Sequence, residues 1–140
     1  MAIQQSELAP ALDTIRVSIH VLAATIWVGG QFTIAGLVGP AKLLGQDAPK
    51  KLARAFAKIE WPAFALLIAT GIWNVIADDP SKATSPWRYV MIAEATVALL
   101  AGLSAYLHQI SKNRKRLAIF GALSGVLSIT AVILGVLLAG

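Results

Sequence analysis

Residues 18–30 read SIHVLAATIWVGG, and this stretch decides the fold. It belongs to an apolar run from about residue 17 to residue 39, longer than the ~20 helical residues that cross ~30 Å of hydrocarbon. His20 is a titratable group on this otherwise apolar segment, and Ala24, Trp27 and Gln31 follow it at helical spacing. The stretch therefore predicts a membrane-spanning helix with one polar and aromatic face.

Three further apolar runs follow, at about residues 61–77, 88–108 and 117–139. The composition agrees, because 57% of the 140 residues are hydrophobic, only 14% are charged and the mean hydropathy is +0.72. Four spans leave no room for a soluble domain, so we predict one transmembrane domain over residues 1–140. Short connections favour an all-α, membrane-embedded, up-down-up-down four-helix bundle.

Positive charge is concentrated in two of the three connections between spans. The segment between the first and second spans carries Lys42, Lys50, Lys51, Arg54 and Lys58, and the segment between the third and fourth carries Lys112, Arg114, Lys115 and Arg116. Basic loops stay in the cytoplasm, so we predict a multi-pass protein of a bacterial-type inner membrane with both termini outside. The net charge of +5 then indicates contact with anionic lipid headgroups rather than nucleic acid.

Residues 49–60 are amphipathic, with Leu52, Phe56 and Ile59 on one face and the basic side chains elsewhere. Asp47 and Pro49 are typical of a helix start. This pattern predicts a helical segment that lies in the cytoplasmic interface and runs into the second span near Trp61.

Cysteine is absent, which excludes disulfides, thiolate metal sites, iron–sulfur clusters and cysteine catalysis. The sequence also has no serine–histidine–acid set, no phosphate-binding loop and no histidine pair at metal-ligating spacing. The chemistry therefore depends on isolated polar residues within the spans.

Glu94 lies two turns into the third span, at the same predicted depth as His20 in the outer half of the membrane. A carboxylate there needs a partner, because an unpaired charge in hydrocarbon costs at least a few kcal/mol. Asn74 and Met91 lie at similar height, so we predict a constellation of His20, Glu94, Asn74 and Met91. One interpretation is a structural hydrogen bond from His20 to Glu94. The other is ligand chemistry, in which imidazole with carboxylate or thioether suits copper and imidazole alone holds haem iron.

The remaining polar residues of the spans have simpler interpretations. His108 lies about 30 Å from His20 along the membrane normal, so the two cannot share one metal or haem, and an interfacial role is expected. Gln31 and Glu60 are also expected at the cytoplasmic boundary. In the fourth span, Gly121 and Gly125 form a small-xxx-small pair suited to close helix contact.

Several of these segments resemble a known family. Residues 20–30, HVLAATIWVGG, resemble the first-helix signature of CopD-like (copper resistance protein D) and HemJ-type membrane proteins, and residues 56–63, FAKIEWPA, with 70–74, TGIWN, resemble the second helix. The likeness covers about residues 15 to 110. It implies a four-helix unit associated with copper uptake or resistance, or with haem binding and protoporphyrinogen oxidation. In the HemJ type the first-helix histidine pairs with a third-helix lysine, whereas this chain has Glu94 at about that place.

These features rank three functional hypotheses. The first is a CopD-like protein that handles a redox metal, as copper or as haem b, with His20 and Glu94 as ligands, Met91 as a further metal ligand and Asn74 as a supporting cofactor contact. The second is a non-catalytic accessory subunit that joins a homo-oligomer or a larger membrane complex through Gly121 and Gly125. A HemJ-like protoporphyrinogen oxidase, the one enzyme among them, ranks third.

Overall fold

The computed structural model describes residues 10–140. The polar segment of residues 1–13, which the sequence predicts as a leader or a frayed helix start, begins outside this described part. Four long helices account for nearly all of these residues: α1, Ala11–Lys42; α2, Ala48–Asp78; α3, Ser85–Ile110; and α4, Arg114–Ala139. Each is long and apolar enough to cross a membrane. The chain is therefore an all-α four-helix bundle and a multi-pass membrane protein, as predicted.

The helices extend beyond the predicted spans, and two details differ from the pattern in the sequence. α1 contains a π-helical stretch, Thr25–Gly29, in the middle of the predicted first span. α2 runs without a break from the amphipathic segment through Pro62, so residues 49–60 are the first part of the second helix. Asp47 precedes this helix and Pro49 lies in its first turn, but the Asp47 side chain makes no capping hydrogen bond.

Consecutive helices are antiparallel, and they form two hairpins. In the first hairpin, His20 of α1 contacts Thr70 of α2, and Trp27 contacts Phe64. In the second, α3 and α4 are closely packed over their length. We call the end with the 43–47 and 111–113 connections the basic end, and the end with the 79–84 connection and the C-terminus the far end.

The packing is inside-out relative to a soluble protein. The large aliphatic side chains of all four helices are mostly exposed, whereas the buried apolar residues are alanines apart from Trp27. Buried polar residues include Thr70, Ser104, Ser124 and Ser128. Small and hydroxyl side chains let helices approach closely and hydrogen-bond in lipid, where burying aliphatic surface between helices gives little gain.

The two hairpins join through an aromatic cluster near the middle of the bundle. Trp27 is 2% exposed, and its ring centroid lies 4.3 Å from that of Phe64 and 5.7 Å from that of Trp61. Its indole Nε1 donates a hydrogen bond to Ser128 Oγ of α4, 3.1 Å away. Across the interface Phe64 lies directly over Gly102 of α3, where a Cβ would overlap its ring. The π-helical stretch thus presents Trp27 to both hairpins.

Candidate functional site

His20 is held by a hydroxyl of the neighbouring helix. Its Nδ1 lies 2.9 Å from Oγ1 of Thr70, and that hydroxyl donates its own proton to the backbone carbonyl of Leu66 at 2.7 Å. A hydroxyl has one proton, and when that proton goes to the Leu66 carbonyl, Thr70 Oγ1 accepts and Nδ1 of His20 carries the hydrogen. In this arrangement the neutral imidazole is the tautomer whose Nε2 carries the lone pair. The backbone of Leu67 is a further hydrogen-bonding neighbour of the imidazole.

The local register of the hairpin explains this contact. His20 and Arg16 are one turn apart on α1, and Thr70 and Asn74 are one turn apart on α2, so antiparallel helices bring them together in pairs. Gly71 lies beside the imidazole, and a Cβ at this glycine would make an ordinary contact with Cε1 of His20 at 3.5 Å.

Arg16 forms a polar cluster one turn toward the far end. Its side chain is almost fully buried, and Nη1 donates to Oδ1 of Asn74 at 2.9 Å. Nη2 lies 3.2 Å from Asp13 Oδ1 and 3.7 Å from Asp78 Oδ1. Asn74 therefore belongs to the arginine cluster and is the acceptor that ties α1 to α2 there. This role was not predicted, although the four-residue spacing of Asn74 and Asp78 was a readable signal.

Glu94 is not bonded to His20. It is half-buried on α3 and makes no hydrogen bond or ion pair with any residue between positions 10 and 140. The direct His20–Glu94 hydrogen bond considered from the sequence is therefore absent. The depth of Glu94 is nevertheless close to that of His20. Because Phe64 meets Gly102, the antiparallel register puts Glu94 level with residue 72 of α2, two residues from Thr70.

The hairpins are less tightly packed in the far half, where His20 and Glu94 lie. In α3 the buried residues all fall between positions 101 and 105, and in α4 they are Ser124 and Ser128. Within the described chain, the hydrogen bonds that join the two hairpins all lie between the level of Trp27 and the basic end. Glu94 lies two turns from buried Ala101 on the same face. We use the name far-half gap for the region between His20 and Glu94, where no hydrogen bond between described residues joins the two hairpins.

The donor set limits what could bind in this gap. Among residues 10–140 no three histidine, aspartate or glutamate side chains are grouped as metal ligands. Met91 is half-buried on α3, one turn from Glu94. A site with three such ligands is therefore absent from the described residues. One imidazole whose other ring nitrogen is hydrogen-bonded would suffice to hold haem iron, which needs only one or two protein ligands.

Glu60 is buried between helices, whereas Glu94 is only half-buried. Glu60, expected at the cytoplasmic boundary, is only 5% exposed and accepts a hydrogen bond from Gln109 Nε2 at 3.3 Å. Its burial arises because α2 carries Glu60 on the same face as buried Ala63, against α1 and α3. Its place at the cytoplasmic boundary stays a prediction. His108 lies in the last turn of α3, and its Nδ1 lies 2.7 Å from the carbonyl of Leu117.

Comparison with known proteins finds no matching family model, no matching curated protein and no matching solved structure. The interpretation of the site therefore depends on its own residues.

Proposed function

We propose that this protein handles a redox metal in the form of haem iron, with His20 as the residue that would hold the iron. The observation that carries the proposal is the contact between His20 Nδ1 and Thr70 Oγ1 at 2.9 Å. It orients the ring and, with Nδ1 as the donor, leaves the Nε2 lone pair for a ligand. An imidazole kept in this state within an apolar helix pair is costly unless it serves a ligand.

Haem is favoured over copper by the number of donors. A haem supplies four of its own nitrogen ligands, so the protein needs to contribute one or two, whereas copper bound by side chains alone needs several. No group of three histidine or carboxylate ligands exists between residues 10 and 140. The CopD-like and HemJ-type resemblance of residues 20–30 supports either metal, so the donor count is what separates them.

The far-half gap is the proposed location of the cofactor. His20 and Glu94 lie at similar depth on different hairpins, and the surrounding packing is looser than at the aromatic cluster. Haem bound there would supply one-electron redox chemistry, while the chain would hold the iron, exclude water and set its environment. Glu94 would be a second ligand or a polar neighbour of the cofactor, with Met91 one turn away. We also propose that the basic end faces the cytoplasm of a bacterial-type inner membrane, where Lys and Arg side chains contact anionic lipid.

The other hypotheses have less support. Gly121, proposed as part of a face for a partner helix, packs against His108 within the chain, since a Cβ there would lie 2.9 Å from His108 Nδ1. Only Gly125 of that pair is open. Protoporphyrinogen oxidation ranks lower because the chain has Glu94 where HemJ-type proteins have a lysine.

The test is an optical spectrum of the purified full chain in detergent, combined with metal analysis. We expect a Soret band that is lost in His20→Ala and kept in His108→Ala, the matched variant of the other histidine. A colourless protein that binds copper through His20 and Glu94 would replace haem by copper. A protein that binds neither, and in which both substitutions only lower stability, would overturn the proposal in favour of an assembly role.

A further inference from the structure

The basic half of the bundle contains a second polar cluster that the proposed haem site does not use. It consists of Glu60, Gln109, Gln31 and Ser124, one from each helix. Gln109 Nε2 donates to Glu60 Oε2 at 3.3 Å, and Trp61 Nε1 donates to Gln109 Oε1 at 2.9 Å. The Trp61 bond fixes which end of the Gln109 amide faces the carboxyl, so Glu60 always receives a donor from α3.

Gln31 has an unusual hydrogen-bonding state. Its Oε1 lies 3.2 Å from Ser124 Oγ, while its Nε2 is buried and makes no hydrogen bond of good geometry. The same side chain is the neighbour of Glu60 on α1 and is close enough to interact with the carboxyl. Leaving a buried amide N–H without a partner costs about 1–3 kcal/mol. Rotation of the Gln31 amide by half a turn exchanges the positions of Oε1 and Nε2, which gives the side chain two alternative orientations.

Each orientation matches one protonation state of Glu60. When Glu60 is ionised, Gln31 Nε2 turns to the carboxylate as a donor and Gln31 Oε1 accepts from Ser124. When Glu60 is protonated, the amide rotates by half a turn, so the carboxyl O–H donates to Gln31 Oε1. Gln31 Nε2 then donates to Ser124 Oγ, whose own proton goes to the Ala101 carbonyl at 3.1 Å. In both states the Glu60 carboxyl, the Ser124 hydroxyl and one N–H of Gln31 have hydrogen-bond partners.

No fixed charge in the surrounding helices holds Glu60 in one state. α1 has no charged residue between His20 and Lys42, and α4 has none after Arg116. From α3 the titratable group nearest in sequence to Gln109 is His108, whose Nδ1 lies 2.7 Å from the Leu117 carbonyl. On α2 itself Lys58 is exposed, and Glu60 makes no ion pair in the described chain. The neutral amide groups of Gln31 and Gln109 are the polar neighbours of the carboxyl.

We infer that Glu60, Gln31 and Ser124 form a proton-binding site in the basic half of the bundle, in which the Gln31 amide rotates when Glu60 gains or loses a proton. The proton enters from water at the basic end, past exposed Gln109, and bonds to a carboxylate oxygen of Glu60. Because Ser124 and Gln31 belong to different hairpins, the protonation state of Glu60 changes the hydrogen bond that joins the two hairpins. This site is independent of haem binding.

Infrared difference spectroscopy of the full chain in nanodiscs between about pH 4 and pH 10 tests the inference, because that range spans the ordinary titration of carboxyls. We expect the band of a protonated carboxyl to appear on acidification together with a shift of a glutamine amide band. Glu60→Gln, which preserves shape and hydrogen bonding, should remove both signals. Glu94→Gln, the matched change in the other intramembrane glutamate, should leave the pair of signals intact.

Gln31→Met provides a second readout that keeps the carboxyl in place. We expect the Glu60 carboxyl band to persist, to move because its acceptor is gone, and to lose the accompanying amide signal. The inference is overturned if acidification changes no carboxyl band, if the paired signals survive Glu60→Gln, or if the carboxyl band of Gln31→Met is identical to that of the native chain.

Discussion

Nδ1 of His20 lies 2.9 Å from the hydroxyl oxygen of Thr70, and this contact ties the histidine to the adjacent helix. When the Thr70 proton is donated to the Leu66 carbonyl, the hydroxyl accepts from the imidazole. A threonine within an apolar span thus sets the chemistry of the histidine on the adjacent helix.

Removing the Thr70 hydroxyl should weaken the first hairpin. Thr70→Val keeps the shape but leaves Nδ1–H of His20 without an acceptor, so we expect a loss of about 1 kcal/mol in the free energy of unfolding in mixed micelles. Thr70→Ser keeps the hydroxyl and should lose less. If the valine variant is as stable as the serine variant, the hydroxyl does not hold the ring.

The hydrogen bonds of the arginine cluster should contribute more to the free energy of unfolding than an exposed ion pair does. Asn74→Leu leaves the buried Arg16 guanidinium short of an acceptor, and we expect a loss of about 2 kcal/mol in unfolding free energy. Lys82→Met, which removes the exposed pair with Asp79, should cost less than about 0.5 kcal/mol. Equal losses in the two variants would contradict the burial argument.

The contact of Phe64 with Gly102 should not accept a methyl group. Gly102→Ala puts a Cβ into the Phe64 ring, which cannot withdraw because it packs on Trp27, so we expect a loss of about 1–3 kcal/mol. Gly36→Ala is the matched control, since a Cβ at Gly36 meets nothing within 4 Å. Phe64→Leu should recover part of the Gly102→Ala loss in the double variant, and additive losses would argue against a direct clash.

Asp79, in the connection between α2 and α3, should titrate below its ordinary value. The Lys82 ammonium at 2.8 Å lowers the pKa of this carboxyl, and the Ser81 hydroxyl at 2.6 Å lowers it further. A folded-state pKa below the unfolded one contributes stability that is complete above the unfolded value and is lost as pH falls through the folded value. Carboxyl-carbon NMR titration should show a higher pKa of Asp79 in Lys82→Met and a smaller rise in Ser81→Ala. An unchanged titration in Lys82→Met would disprove the assignment.

The fold was predictable because it depends on composition and run length. Four apolar stretches with short connections leave one architecture, and the structure confirms it. The helix ends were less predictable, since α1 begins at Ala11, before the predicted span at about residue 17, and buries Arg16. The hydropathy pattern does not indicate that Asn74 and Asp78 lie opposite Arg16.

The positions of the candidate residues along their helices were predictable from the sequence, whereas their hydrogen-bonding partners were not. His20 and Glu94 lie at similar height, as helix length predicts, but the hydrogen-bonding partner of His20 is Thr70. Pairing depends on which helices pack together, and α1 lies along α2 while α3 lies along α4. The burial of Glu60 has the same origin, because the face it shares with Ala63 is covered by two other helices. Hydropathy gives depth along each helix, whereas rotation about the helix axis depends on its neighbours.

The most direct test of the proposed haem site is chemical rescue of His20→Gly. We predict that this variant is purified without a Soret band and that reconstitution with haem and free imidazole restores the band, because imidazole fills the position left by the side chain. Thr70 remains to accept the Nδ1–H bond of the added imidazole. A Soret band that persists in His20→Gly without imidazole, or one that imidazole fails to restore in the folded variant, would contradict ligation by His20.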